Sequence, residues 1–242
     1  MYLQASFRDS TSVREGDFLY QLRRVYPILS ELSVSDKTLG GPWYLSGDGE
    51  DDRLGVPVFE GAEPRAAAIE ELNHRSRHES GQPKSIDIWN GISGRGNAST
   101  INIIIDCGSI ANQFELSVSE RRKGASRAGS YVSSANVVSK VAIEFDCPYV
   151  IFGPRPYFEK QVFADRPGVS WMLYLPHALT SAQVPEARAL IPVMRDCQQQ
   201  GTIIVSVTDE VFDVNNRAHV KVANDIEIRL ADQDLLPRYV DL

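Results

Sequence analysis

Apolar residues recur at helical spacing in five stretches of the chain, and between them other stretches alternate or run together as strands do. Phe18, Leu22, Val25, Leu29 and Leu32 repeat at intervals of three and four, which predicts a helix over 13–32 with Ser12 as a candidate cap. Pro27 lies inside it and marks a kink or an early end. Trp43–Ser46 reads as a short strand after the turn-forming Gly40-Gly41-Pro42, and 47–64 as a loop. A second helix is expected over Arg65–His78. Ile86–Trp89 and Thr100–Asp106 follow as strands joined by a glycine-rich hairpin loop, and Asn112–Ser119 as a third strand with Phe114, Leu116 and Val118 on one face. Arg121, Arg122, Lys123 and Arg127 read as a solvated, mobile loop. Residues 132–146 carry Ala135, Val138, Ala142 and Phe145 on one helical side and stop before Pro148.

Val169, Trp171, Leu173 and Leu175 alternate as a strand does, and the apolar character of Met172 and Tyr174 predicts cover on both faces. Ala187, Leu190, Ile191, Met194 and Cys197 fit a helix over 185–199, with Pro185 in its first turn, Pro192 as a discordant residue and Gly201 as its stop. Thr202–Val207 reads as a buried strand. Residues 216–231 read as a closing helix, with Val222, Ala223, Ile226 and Leu230 inward and Asp213 or Asn215 as its cap. Helices and strands mix throughout, and the middle of the chain is hairpin-like. The expected fold is therefore α+β, a single domain over 1–242 with a mixed or largely antiparallel sheet and packed helices.

Composition changes this picture only a little. With 242 residues and 43% hydrophobic positions the chain can bury a substantial core. A formal charge of −7 argues against direct, non-specific binding to nucleic acid. Cys107, Cys147 and Cys197 are odd in number, far apart and next to apolar runs, so they read as reduced, buried thiols. Met1–Phe7 lacks a basic stretch leading into an apolar one, and no apolar run approaches the ~20 residues of a membrane span. A cytoplasmic protein without membrane contact is expected, and its oligomeric state is not legible.

Known catalytic patterns find little support. Gly91–Ser99 has the glycines of a phosphate cradle, but it leads into a β-branched run rather than a helix and lacks the Lys-Ser/Thr ending. His74 and His78 have metal-ligand spacing, yet Arg75 stands where a zincin needs its glutamate. No Glu-x-Lys occurs for a restriction-type nuclease, and no Gly-x-Ser-x-Gly elbow for a hydrolase. Asp48-Gly49-Glu50-Asp51-Asp52 lacks the twelve-residue spacing of a calcium loop. No metal or cofactor is expected. Two acidic groupings remain, Asp48, Glu50, Asp51 and Asp52 in one loop and Asp209, Glu210 and Asp213 in another, and both suit a surface that steers and docks a basic partner.

Trp43-Tyr44-Leu45-Ser46-Gly47, Trp171-Met172-Leu173-Tyr174-Leu175-Pro176, Gly201-Thr202-Ile203-Ile204-Val205, Phe212-Asp213-Val214-Asn215-Asn216, His219, Ala223-Asn224 and Ile226-Glu227-Ile228-Arg229-Leu230 together resemble immunity protein family 52 of bacterial polymorphic toxin systems. The resemblance is most specific over 169–236 and carries no catalytic motif. It implies a non-enzymatic antidote encoded beside a toxin, commonly a nuclease with a restriction-endonuclease-like fold and in some cases a type VI secretion effector. Such an antidote covers or distorts the toxin's active site. An acidic protein is compatible with this, because a nuclease presents a positive cleft to phosphates. A competing reading is a small hydrolase or transferase whose site assembles from His177, Asp213 and His219. A third is a scaffold for some other partner.

Overall fold

The computed structural model describes residues 1–14, 16–47, 55–78 and 82–242. Its framework is a nine-stranded antiparallel sheet whose central strand is the first in the chain. In sequence order the main elements are β1 (Tyr2–Phe7), α1 (Phe18–Ser35), β2 (Tyr44–Leu45), β3 (Phe59–Glu60), β4 (Glu63–Pro64), α2 (Ala66–Arg75), β5 (Lys84–Trp89), β6 (Ser99–Ile105), β7 (Asn112–Val118), α3 (Tyr131–Phe145), β8 (Tyr149–Gly153), β9 (Met172–Leu175), β10 (Ala189–Arg195), β11 (Gln198–Val205) and α4 (Arg217–Asp232). Across the sheet the order is β10-β11-β9-β8-β1-β7-β6-β5-β2, and β3 and β4 form a separate small hairpin. The fold is α+β, with every pairing in the large sheet antiparallel.

Side-chain alternation fixes the register. Leu3 pairs with Leu116, Leu116 with Ile101 and Ile101 with Ile88; one step along, Ala5, Phe114, Ile103 and Ile86 form the next row. All eight side chains are buried on one face, so a slip of a single residue would turn them all to the other face. Helices α1 and α3 cover this face. Phe145 of α3 lies 4.8 Å from both Phe7 and Phe114, ring centre to ring centre. A fully buried side chain of this size contributes about 1.5–3 kcal/mol. The buried Arg24 guanidinium sits 4.0 Å over the Phe145 ring while donating to Asp9 and to the Glu144 carbonyl oxygen. The charge is thus both paired and stacked, which offsets the cost of taking it out of water.

The described residues cover the second face over only half the sheet. Beside β1 and β8, residues 154–170 fold back so that Tyr157 and Phe158 lie against Tyr2, Ile151 and Gly153. The chain end adds Tyr239 against Tyr149, whose hydroxyl is 2.8 Å from Ser6 Oγ. Helix α4 backs this layer through Glu227, which is buried and accepts from the Tyr157 hydroxyl at 2.6 Å and from the Val162 and Val169 N–H groups at 2.7 and 2.9 Å. Burial raises the Glu227 carboxyl above its usual range despite these three donors. On the other half, β5, β6 and β7 alternate strictly between buried and at least partly exposed positions.

Most expected elements are present, with shifted ends, and several expectations are corrected. The helix expected over 185–199 is instead the β10–β11 hairpin, turned at Asp196 and Cys197, both with positive φ. Pro192 occupies the outermost strand, where a missing N–H breaks no inner ladder. Gly201 does not stop a helix; a Cβ there would stand 2.3 Å from the Leu175 carbonyl oxygen, so glycine is needed where β11 passes β9. Helix α1 begins later than expected and is capped by Asp17, not Ser12, and Pro27 lies within it without ending it. Part of 47–64 forms β3 and β4 rather than loop. Only Cys147 of the three thiols is buried; Cys197 is exposed and Cys107 intermediate. Arg127 is not solvated. It is buried and donates to Asp36, Thr38, Asn97, Ser99 and Ser119, which ties its loop to the β5–β6 turn.

Candidate functional site

The acidic grouping Asp48, Glu50, Asp51 and Asp52 lies outside the described residues. The grouping Asp209, Glu210 and Asp213 is described and stands on a loop fastened at both ends. Where the chain leaves β11, Ser206 Oγ donates to the Ser170 carbonyl oxygen at 2.6 Å and Trp171 Nε1 donates to the Val207 carbonyl oxygen at 2.9 Å. Phe212 then inserts into the core, edge-on to Tyr157 at 5.5 Å. At the far end Asn216, rather than Asp213 or Asn215, caps α4 by accepting from the Ala218 N–H at 3.0 Å. Cap and anchors leave the intervening acids little freedom to move.

His219 organises this loop from beneath. It is 8% exposed, and its Nδ1 accepts from the Asp213 N–H at 3.0 Å, so the ring proton sits on Nε2 and points at the Glu210 carboxylate 2.9 Å away. Asp213 turns its own carboxylate elsewhere. Oδ1 accepts from the Asn215 N–H and side-chain amide at 2.9 and 3.0 Å, and Oδ2 faces Lys123 at 3.4 Å. The Asn215 backbone bond, then its side chain and Lys123, hold the Asp213 carboxyl below the ordinary range. Asp209 and Glu210 remain exposed. The loop therefore presents two carboxylates to solvent and uses the third to hold its own shape.

The competing triad does not assemble. In the β9–β11 pairing Met172 lies opposite Val205 and Leu175 opposite Thr202. His177 follows Leu175, whereas Asp213 and His219 follow Val205, so they sit at opposite ends of these strands. His177 is exposed, and its carbonyl oxygen accepts from Thr202 Oγ1 at 2.7 Å. The glycine-rich stretch after β5 is a hairpin turn closed by Asn90, whose side chain bonds Asn97 and Ser99.

Sequence reasoning missed three buried charged residues that shape the surface from inside: Arg24, Arg127 and Glu227. A signal was present for two. Arg24 falls within the Gln21, Leu22, Val25, Ile28 stripe of α1, and Glu227 within the Ala223, Ile226, Leu230 stripe of α4. A charge on a buried stripe implies a partner within reach. Arg127 carried no such signal, because its partners come from three separate segments. No helix among the described residues is long and apolar enough to cross a membrane. A comparison with curated proteins finds no match. The family model described as immunity protein 52 matches residues 23–238 of the 242, and the chain accordingly belongs to the immunity protein 52 family.

Proposed function

We propose that this immunity protein neutralises a cognate nuclease toxin with a restriction-endonuclease-like fold, delivered by type VI secretion, and that it does so by occluding or distorting the toxin's active site without any turnover of its own. Family membership across residues 23–238 is the observation that carries this reading, since an immunity protein acts on a cognate toxin. The charge balance supports the nuclease assignment: a chain of formal charge −7 suits a partner that must hold phosphates in a positive cleft. The antidote works in the cytoplasm, where the toxin meets DNA.

Asp209 and Glu210, together with Asp48, Glu50, Asp51 and Asp52, act in this reading as steering charges, and Asp213 shapes the loop that carries the first two. Exposed charges at an interface rim change the encounter rate more than the lifetime of the complex. The test is co-purification with the toxin encoded beside this gene, coupled to survival of cells expressing that toxin. Stable one-to-one capture and rescue are expected. Absence of both removes the reading. Replacing the steering acids by Asn or Gln should slow association, and the deficit should shrink as salt rises.

A further inference from the structure

Resting on the toxin-binding reading, we infer that the half of the sheet left open by the described residues, the outer face of β5, β6 and β7, is the docking surface, and that its occupant is a basic segment of the cognate toxin flanked by an apolar side chain. The residues that blanket the second face, 154–170 with α4 behind them and the chain end at 239–242, lie against β1 and β8. Beyond β1 the outward positions are at least partly open: Ser85 and Thr100 are exposed, and Asp87, Asn102 and Glu115 are half-buried.

Charge selects the occupant. Asp87, Asn102, Glu115 and Gln4 form one row straight across four strands by register, with two carboxylates in it. The other outward residues of β5, β6 and β7 are Ser85, Trp89, Thr100, Ile104, Gln113 and Ser117, none of them basic. Asp87 is already oriented, accepting from Asn102 on one oxygen and from Ser85 Oγ at 2.8 Å on the other. Arg8, Arg155 and, on the α2 side beside Asp87, Arg75 stand at the margin, and each is engaged: Arg75 donates to the Glu71 carboxylate and to the Ser46 carbonyl oxygen. Arg8 donates to the Ser109 and Leu242 carbonyl oxygens, and Arg155 lies 5.0 Å over the Tyr2 ring.

Apolar contact is available at both ends of the row. Tyr44 and Trp89 pair at 6.5 Å beside β2, and Ile110 and Val240 stand 68% and 83% exposed near the chain end. Oriented carboxylates between aromatic and aliphatic groups match the composition of interface centres. Three strands, each about 4.8 Å wide and about 24 Å long, give a floor of roughly 350 Å². A standard interface needs about 800 Å² per partner, so the floor serves as its centre and the two rims supply the remainder.

Isothermal titration and stopped-flow binding of a catalytically inactive form of the adjacent toxin test this, using Glu115→Lys, Thr100→Arg and Ser85→Arg, with a combined Asp209→Lys and Glu210→Lys variant for comparison. The last two face variants alter exposed side chains and leave the core untouched, so they stay informative if Glu115→Lys is unstable. The expected result is at least about tenfold weaker binding by each face variant, through faster dissociation and at unchanged thermal stability. The Asp209 and Glu210 variant should lose association rate alone. Wild-type protein that binds while Thr100→Arg and Ser85→Arg bind within about twofold of it overturns the docking surface but spares the toxin-binding reading. Wild-type protein that does not bind the toxin overturns that reading itself.

Discussion

Arg127 donates from Nε to the Asp36 carboxylate at 2.8 Å across 91 residues of chain, and the two side chains are 4% and 10% exposed. Burial alone would raise the Asp36 carboxyl, but hydrogen bonds from Arg127 and Thr38 outweigh it and hold the group down at about 2. Arg127→Ala leaves Asp36 with Arg121, 3.0 Å away, as its charge partner but takes a buried donor from Asn97, Ser99 and Ser119. It should cost about 2–3 kcal/mol, read as a lower denaturant midpoint. A loss under about 1 kcal/mol would mean that water replaces the guanidinium.

The same pair sets an acid limit on stability. The folded Asp36 value lies below the ordinary 3.8, so the native state binds this proton less tightly than the unfolded chain does. Its contribution is complete above about pH 4 and disappears as pH falls toward about 2. Asp36→Asn should flatten the stability profile in that window, measured by urea unfolding from pH 5 to 2.

Glu227 has the opposite sign. Its carboxyl is raised by burial, so its contribution is complete below the unfolded value and is lost as pH rises through the folded one. Glu227→Gln keeps an acceptor and removes that loss, so its stability should vary less than the parent's between pH 4 and neutrality. Glu227→Ala leaves the Val162 and Val169 N–H groups without their acceptor and the Tyr157 hydroxyl with Asn224 alone, and should cost about 3 kcal/mol. Urea titrations at several pH values separate the two variants.

His219→Phe keeps a ring of similar size against Phe212 but takes the acceptor from the Asp213 N–H. The expected cost is about 1–3 kcal/mol. Amide exchange should rise locally in 208–216 while the sheet remains protected. Uniform loss of protection would show that the histidine supports the whole core instead.

Thiol labelling should follow burial. Cys197 lies exposed at the β10–β11 turn and should react first with a maleimide in the native protein. Burial raises the Cys107 thiol and raises that of Cys147 much further. Cys147 should therefore label only after unfolding, followed by mass spectrometry of peptides.

Much of this architecture was legible in the residues. The alternation through 86–119 and the helical stripes of α1, α3 and α4 gave the elements that carry the core. The β10–β11 hairpin was not legible, because Ala187, Leu190, Ile191, Met194 and Cys197 fit the helical period equally well. Pro192 was the discordant residue, and an edge strand accommodates it. β8 was not legible either, because five consecutive buried residues show no period. The alternation of Leu3, Ala5 and Phe7 with Gln4 and Ser6 marks β1 as a strand, but nothing local marks it as the central one. Of the candidate surface, the acids at 209–213 could be named from sequence. That Asp213 is spent on its own loop, and that half a sheet face lies open beside Asp87 and Glu115, depend on pairings between distant strands that no local pattern reports.

The central place of β1 has a consequence for how the antidote comes into being. Tyr2 is bracketed by Ser117 on one side and Gly153 on the other. On a ribosome adding roughly 5–20 residues per second, β1 therefore waits on the order of ten seconds for its second neighbour to emerge. Until then it has only β7 beside it, and its other edge is open. Protection would thus begin only once most of the polypeptide exists, and a cell under attack relies on copies finished beforehand.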